Sequence, residues 1–228
     1  MTRPGDRGKA ALAVLAALLA GCGGAPGFLG DARGDGWIAD GRERRPLRIG
    51  KLIKKRQIPP VTPVAQADWL TRPEREAEEQ PGRVVEALNI SKGATVVDLG
   101  AGVGYFTWRL AEQVGESGRV IAVDVQQGML DRLRQNLQDR NITNVEVVLG
   151  EPGDPHLPVG QVDLVLLVGV YHELAQPEDI MEQVRRSLKP GGRVVVIEYR
   201  KEDPSIPLPP IRKMTAAEVR SEIEPVGF

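Results

Sequence analysis

The sequence is poor in the residues that mark several classes of protein. Its 228 residues include one cysteine, so no disulfide can form within the chain. A single cysteine and two histidines, far apart in sequence, argue against a structural zinc site. Aromatic residues make up 4%, which is too few for a base-stacking surface, and a net charge of −1 gives no field that draws the whole protein to nucleic acid. We therefore expect neither a bound metal nor a nucleic-acid partner.

The N-terminus has the pattern of a signal peptide. Arg3, Arg7 and Lys9 form a basic start, and an apolar run follows from Ala10 to Gly21. This run is shorter than the roughly 20 residues that span a bilayer, and it has the length of a signal-peptide apolar region. We therefore expect residues 1–21 to be a signal peptide.

The run ends in "LAGC", Leu19 to Cys22, which resembles the lipobox of bacterial lipoproteins. The resemblance implies that Cys22 is lipidated and becomes the new N-terminus, so that the protein is anchored to a membrane and faces the periplasm or the cell exterior. The alternatives are a simple signal peptide or an uncleaved anchor helix with an incidental cysteine.

Residues 22–60 read as a flexible linker, because glycine is frequent and apolar periodicity is absent. Residues 42–56 carry eight basic residues against Glu43 alone. Beside a lipid anchor, such a segment can lie on anionic headgroups, at about 1 kcal/mol per basic residue. The alternative is a solvated basic linker.

From residue 61 to residue 228, strand and helix patterns alternate. One helix is predicted around residues 74–88, and another over residues 176–192, where the proline and glycines of "LKPGG" end it. A capping box is predicted at Thr215 and Glu218. Apolar strands alternating with helices predict a Rossmann-like, doubly wound α/β domain with a mostly parallel sheet. Five strands are predicted, around Val96, Val120, Val145, Val162 and Val194.

A glycine loop follows the first of these strands, in "VVDLGAGVGYF" at residues 96–106. Glycine costs roughly 0.5–1 kcal/mol in regular structure, so Gly100, Gly102 and Gly104 predict backbone that turns sharply or lies close to a ligand. The loop is G-x-G-x-G rather than the dinucleotide pattern G-x-G-x-x-G. Asp98 before the glycines favours a ligand with a cationic amino-acid portion, and Asp124 after the next strand can accept ribose hydroxyls. S-adenosylmethionine has both features.

The glycine loop, "GRVIAVDVQQGML", "VDLVLLVGVYHEL" and "LKPGGRVVVIEYR" together resemble the class I S-adenosylmethionine-dependent methyltransferases, in particular the small-molecule branch called type 11. The resemblance covers the chain from about Asp68 to its end. It implies that Asp98 faces the methionine amine, that Asp124 holds the ribose, and that an acid, Glu151 or its rival Asp154, lies near the adenine amine. The implied cofactor-binding residues are Asp98, Gly100, Gly102, Gly104, Tyr105, Asp124, Val125, Met129, Glu151 and Gly169.

The segment "VYHEL" supplies the predicted catalytic residues, His172 and Tyr171. A base is needed only if the acceptor must lose a proton, and the imidazole of His172 has a suitable unperturbed pKa near 6.5. The alternative is that His172 packs against the cofactor or caps the next helix. Trp69 and Tyr105 are candidates for closing over the cofactor, and Glu198 and Tyr199 for lining the acceptor site.

Two functions follow from these motifs. The first is methyl transfer to an unidentified, small-molecule acceptor. The second is a membrane-tethered, inactive binding protein, because the cofactor is made in the cytoplasm whereas a mature lipoprotein faces outward. A short-chain dehydrogenase is excluded because no tyrosine is followed four residues later by lysine, and a P-loop motif is absent.

The resemblance also implies a sheet of seven strands, whereas the sequence stops after "PVGF". The domain is therefore expected to lack the last two strands and to leave the strand at Val194 as an unprotected edge. Exposed edges pair with other chains, so low stability and oligomers are expected.

Overall fold

A central sheet organises the molecule. The structure, a computed structural model, describes the backbone of residues 14–20 and all of residues 56–228. The strands run in the order β1-β6-β5-β2-β3-β4, and β2 to β6 are parallel. Their bounds are β1 Val14–Ala20, β2 Thr95–Leu99, β3 Arg119–Asp124, β4 Val145–Leu149, β5 Val162–Val168 and β6 Leu188–Tyr199. All five predicted strands are confirmed.

Helices cover both faces of this sheet, as the apolar strands require. Val96 and Val97 are adjacent in β2 and fully buried, and they belong to hydrophobic clusters on opposite faces. Because neighbouring side chains of a strand point to opposite faces, a strand covered on both sides is apolar throughout. The helices are α1 Glu74–Glu79, α2 Pro81–Ala87, α3 Thr107–Val114, α4 Gln127–Asp139, α5 Pro177–Ser187 and α6 Ala216–Ile223.

The strand order reverses beside β2, and this reversal determines where a ligand-binding crevice forms. From β2 the chain proceeds outward to β3 and β4 on one side, while β5 and β6 lie on the other. The loops that leave β2 and β5 therefore diverge and open a crevice at the carboxyl ends of the strands.

Two helical predictions need correction, and one is confirmed. The single helix predicted over residues 74–88 is two helices, because Gln80 adopts a left-handed conformation with φ 45° and Pro81 starts α2. The "LKPGG" segment belongs to β6 rather than to the end of α5. The capping box is present, since Thr215 Oγ1 accepts from the Glu218 amide at 3.0 Å and Glu218 Oε2 accepts from the Thr215 amide at 2.8 Å.

The edge predicted to be exposed is covered in this structure. β1 pairs antiparallel with β6, with Val14 opposite Tyr199 and Ala20 opposite Arg193. The prediction of an unprotected edge is therefore wrong here, because an apolar segment of the chain's own N-terminus completes the ladder. The predicted lipid-attachment residue Cys22 lies outside the described residues, as does the linker up to residue 55. Within the described part, no helix is long and apolar enough to cross a membrane.

Candidate active site

A cavity of about 270 Å³ lies where β2, β3 and β5 end. Asp98 and Leu99 of β2, Asp124 of β3 and Val168 of β5 all line it. The site is thus built from the loops that the strand reversal separates.

The glycine loop forms the floor of the cavity. Gly100, Gly102 and Gly104 have φ values of 79°, 54° and 87°, a region that residues with a Cβ rarely adopt. The Gly100 amide donates to the carbonyl of Val123 at 2.8 Å, which ties the loop to the end of β3. Gly100 and Gly102 line the cavity, so the backbone itself is presented to a ligand.

Asp124 is held in a fixed orientation beside this loop. Its Oδ2 accepts from the Gly102 amide at 2.9 Å, and its Oδ1 accepts from the Gln126 amide at 2.9 Å. Burial raises the pKa of Asp124, while these backbone hydrogen bonds act in the opposite direction. A carboxylate oxygen has more than one acceptor direction, so both oxygens can still receive the two hydroxyls of a ribose.

Asp98 is a buried carboxylate at the other side of the loop. It is 3% exposed, and its Oδ2 accepts from Thr107 Oγ1 at 2.6 Å. Burial raises the pKa of Asp98 to about 6, and the charge of Asp124 adds to this, while Thr107 and Arg75 oppose it. Asp98 is therefore ionised at neutral pH at a cost to folding, and a cationic ligand group would offset that cost.

We expect Asp98→Asn to stabilise the ligand-free protein at pH 7 by about 1 to 3 kcal/mol. Because its folded pKa of about 6 lies above the unfolded value of 3.8, Asp98 favours folding at low pH, and this contribution is lost as pH rises between those values. Asparagine keeps an oxygen for Thr107 and has no charge to bury. Urea denaturation across this pH range measures the effect, and an identical pH dependence in both proteins would contradict it.

His172 and Glu198 form a buried pair at the side of the cavity. His172 lies in the short turn Tyr171–Glu173 after β5, and Glu198 lies at the end of β6. The imidazole Nδ1 is 2.8 Å from Glu198 Oε2, and the His172 amide donates to Oε1 at 3.1 Å. The imidazole Nε2 has no hydrogen-bond partner among the described residues, and His172 lines the cavity.

Glu173 flanks the other side of the imidazole. Its Oε1 lies 3.7 Å from His172 Nε2 and also contacts Arg212, and Thr62 Oγ1 donates to it at 3.1 Å. Burial lowers the pKa of His172, but the hydrogen bond to Glu198 and the charges of the neighbouring Glu198 and Glu173 raise it to about 9. The pKa of Glu173 is lowered, because His172, Arg212 and Thr62 outweigh its burial. In the ligand-free protein, His172 is therefore a cation at neutral pH.

A second polar cluster lines the cavity on the side of α1. Arg75 is 8% exposed, its Nε lies 2.8 Å from Glu79 Oε1, and its guanidinium lies 4.0 Å from the Tyr105 ring centroid. Tyr199 Oη donates to the same Glu79 oxygen at 2.8 Å. The hydroxyl of Tyr105 is buried without a partner among the described residues, and burial raises the pKa of Tyr105 to about 12.

The structure brings most of the predicted residues to one cavity. Those that line it are Asp98, Gly100, Gly102, Tyr105, Asp124, Val125, Met129, Glu151, Gly169, His172, Trp69 and Tyr199. Gly104 lies beside the side chain of Leu133 instead, and Asp154 and Glu198 are not part of the cavity lining.

Tyr171 needs a correction, because the structure does not bring it to the cavity. Its side chain is completely buried in the core. The alternation of side chains around the short turn sends Tyr171 inward and His172 toward the cavity, so a catalytic role for Tyr171 has no support in this geometry.

Among the residues of the site that sequence reasoning missed are Thr62, Arg75 and Arg212. Each reaches the cavity from outside the strand–loop motifs, and Thr62 and Glu173 are 111 residues apart. No local pattern marks such contacts. The described residues contain no cluster of histidine, cysteine or acidic side chains that could hold a metal ion.

Two comparisons with known proteins identify the family of this chain. A family model described as a methyltransferase domain matches residues 90–224. A solved structure of an S-adenosylmethionine-dependent methyltransferase from Aquifex aeolicus is 30% identical with a TM-score of 0.69, over 73% of this chain and 88% of that one.

Curated relatives carry different substrates in their names. The arsenite methyltransferase of Halobacterium salinarum is 35% identical over 50% of this chain and 29% of its own length. The ubiquinone/menaquinone biosynthesis C-methyltransferase of Azotobacter vinelandii is 31% identical over 51% of this chain and 47% of its own. The chain therefore spans less than half the length of these two relatives.

Proposed function

The chain belongs to the family of S-adenosylmethionine-dependent methyltransferases, and we propose that it transfers the methyl group of this cofactor to a small-molecule acceptor. The observation that carries the proposal is the placement of Asp98 and Asp124 on either side of the glycine loop, within one cavity. The two carboxylates match the two ends of the cofactor, an amino-acid cation and a ribose.

The cavity fits S-adenosylmethionine in its chemistry. Asp124 would hold the ribose hydroxyls, and Asp98 would face the ammonium group. Gly102 lines the cavity with a φ of 54°, so a residue with a side chain would be strained where the backbone meets a ligand. The bound cofactor supplies an electrophilic methyl group on a sulfonium, whose leaving group is a neutral thioether.

The protein's own contribution to the reaction is alignment and proton handling. Holding two reactants in line supplies much of the rate acceleration in such a displacement. His172 lines the cavity, and its Nε2 atom, which has no hydrogen-bond partner among the described residues, can accept the proton of a hydroxyl acceptor once the imidazole is neutral. Glu198 fixes the tautomer, because its Oε2 receives the proton on Nδ1.

Calorimetry of the purified protein tests the proposed cofactor. We expect S-adenosylmethionine to bind with one site per chain and NADH to bind more weakly. Tighter binding of NADH, or no binding of S-adenosylmethionine to folded protein, would contradict the proposal.

We further propose that Cys22 is lipidated and that the basic linker lies against the membrane, with the domain outside the cytoplasm. The sequence pattern at Leu19–Cys22 supports this. Cleavage before Cys22 would remove residues 14–20, which pair with β6, so anchoring would open the β6 edge.

Metabolic labelling with a fatty acid is expected to mark the wild-type protein and not Cys22→Ser. Labelling removes the ambiguity because Cys22 is the chain's one cysteine. Equal labelling of both proteins, or labelling of neither, would show that the segment is not a lipoprotein signal.

A further inference from the structure

The imidazole of His172 lies among charged groups from several parts of the chain. Glu198 approaches it from β6 and Glu173 from its own turn. Arg212 contacts Glu173, while Arg56 donates to the carbonyls of Tyr171 and His172 and pairs with Glu222 of α6 at 3.0 Å. The charge of Glu173 also acts on Asp124, at the end of β3, and raises its pKa.

In the ligand-free protein, these contacts balance the positive charge of the imidazolium. Arg212 offsets Glu173, and Arg56 offsets Glu222, while Glu198 receives two hydrogen bonds from His172 itself. Burying a carboxylate such as Glu198, which is 3% exposed, is costly unless a cation pairs with it. The protonated form of His172 supplies that cation.

A second cation in the same cavity would disturb this balance. Gly169 and Val170 line the cavity, and they precede His172 by three and two residues. Like charges within a cavity of low dielectric repel strongly. The imidazolium of His172 can lose its charge by releasing a proton, whereas a sulfonium cannot. S-adenosylhomocysteine, the product, has a neutral thioether and would exert no such effect.

We propose that binding of a sulfonium cation in this cavity releases the proton of His172, so that the base forms only in the loaded enzyme, with Glu198 as the residue that positions it. This inference rests on the proposed function, because it assumes that S-adenosylmethionine occupies the cavity.

The proposal makes the net charge of the site constant through the reaction. The acceptor's O–H proton passes to His172 Nε2, the oxygen electron pair forms the new O–CH₃ bond, and the C–S bond breaks with its electron pair going to sulfur. The sulfonium charge disappears as the imidazolium charge returns. A hydroxyl-bearing acceptor is therefore the class that this arrangement suits.

Calorimetry at pH 7.5 in two buffers with different ionisation enthalpies measures the protons released on binding. We expect S-adenosylmethionine to release about one proton more from the wild type than from His172→Gln, since a group with a raised pKa releases its proton when a cation binds. The difference between the two proteins cancels any proton exchanged by the ligand's own amino group. With S-adenosylhomocysteine, we expect the two proteins to behave alike.

The chain offers a matched control, because His156 is its other histidine. His156 is outside the cavity lining and its side chain is 45% exposed, so His156→Gln should release as many protons as the wild type. In Glu198→Gln, one carboxylate that holds the imidazolium is lost, so less of the His172 proton remains to be released.

Proton NMR of the wild type gives a reading that does not depend on the fold of His172→Gln. The two imidazole signals are assigned by the loss of one in His156→Gln, and the titration of the His172 signal should move to lower pH with S-adenosylmethionine and not with S-adenosylhomocysteine. Equal titration with both ligands, or undiminished proton release in folded His172→Gln, would overturn the inference. Absence of binding by either ligand would overturn the proposed function, and this inference with it.

Discussion

Asp124→Ala is expected to weaken binding of S-adenosylmethionine by about 30- to 1,000-fold, which corresponds to roughly 2–4 kcal/mol. The variant loses the hydrogen bonds proposed to the ribose hydroxyls. It also loses the two bonds at 2.9 Å that hold the amides of Gly102 and Gln126. Both losses act on binding, because the second one frees the glycine loop that forms the cavity floor. Isothermal titration calorimetry measures the change.

Two further variants separate the role of Asp124 from a general effect of charge. Asp131 lies on α4 with a side chain that is 63% exposed, so Asp131→Ala should bind the cofactor as the wild type does. Asp124→Asn keeps one oxygen acceptor and should fall between the wild type and Asp124→Ala. If a folded Asp124→Ala binds as tightly as the wild type, the ribose assignment is wrong.

The sheet and the part of the cavity formed by Asp98, Asp124 and the glycine loop are predictable, because short local stretches of sequence specify them. A short run rich in β-branched residues predicts the buried strand Thr95–Leu99, and the glycines that follow it predict the turn. Asp98 and Asp124 each precede a strand-to-helix loop, so the parallel topology alone brings them to the same edge of the sheet. These predictions need no knowledge of distant contacts.

The part of the cavity around Glu173 and Tyr199 depends on contacts between residues that are distant in sequence. Glu173 is held by Thr62 and Arg212, and Tyr199 donates to Glu79 across 120 residues. Nothing in the local sequence distinguishes these side chains from solvated ones. His172 lines the cavity, where the sequence predicts it, but its pairing with Glu198 depends on the register of β5 beside β6.

The N-terminal strand shows how one pattern can satisfy two structures. Residues 14–20 are apolar, which suits the apolar region of a signal peptide and equally suits a strand on a buried ladder. Composition cannot choose between them, because both environments reward the same side chains.

Gly100→Ala is expected to destabilise the protein by about 2–5 kcal/mol, the sum of two costs. A Cβ at this position would lie 2.5 Å from both methyl carbons of Val170, and Gly100 has a φ of 79°. The left-handed backbone costs an alanine roughly 1–2 kcal/mol, and overpacking costs typically about 1–3 kcal/mol. Because Gly100 and Val170 both line the cavity, the loop displacement that relieves the clash should also weaken cofactor binding. Urea denaturation and calorimetry measure the two effects.

Gly191→Ala separates backbone strain from the clash. Gly191 has the same φ of 79°, but no atom of the described residues lies within 4 Å of the place a Cβ would take, so this substitution should carry the strain alone. The excess cost of Gly100→Ala over Gly191→Ala then reports the contact with Val170. Val170→Ala should recover part of that excess when it is combined with Gly100→Ala, since contacting sites are not additive. Equal costs for Gly100→Ala and Gly191→Ala would mean that the loop yields freely and that close packing against Val170 does not fix its position.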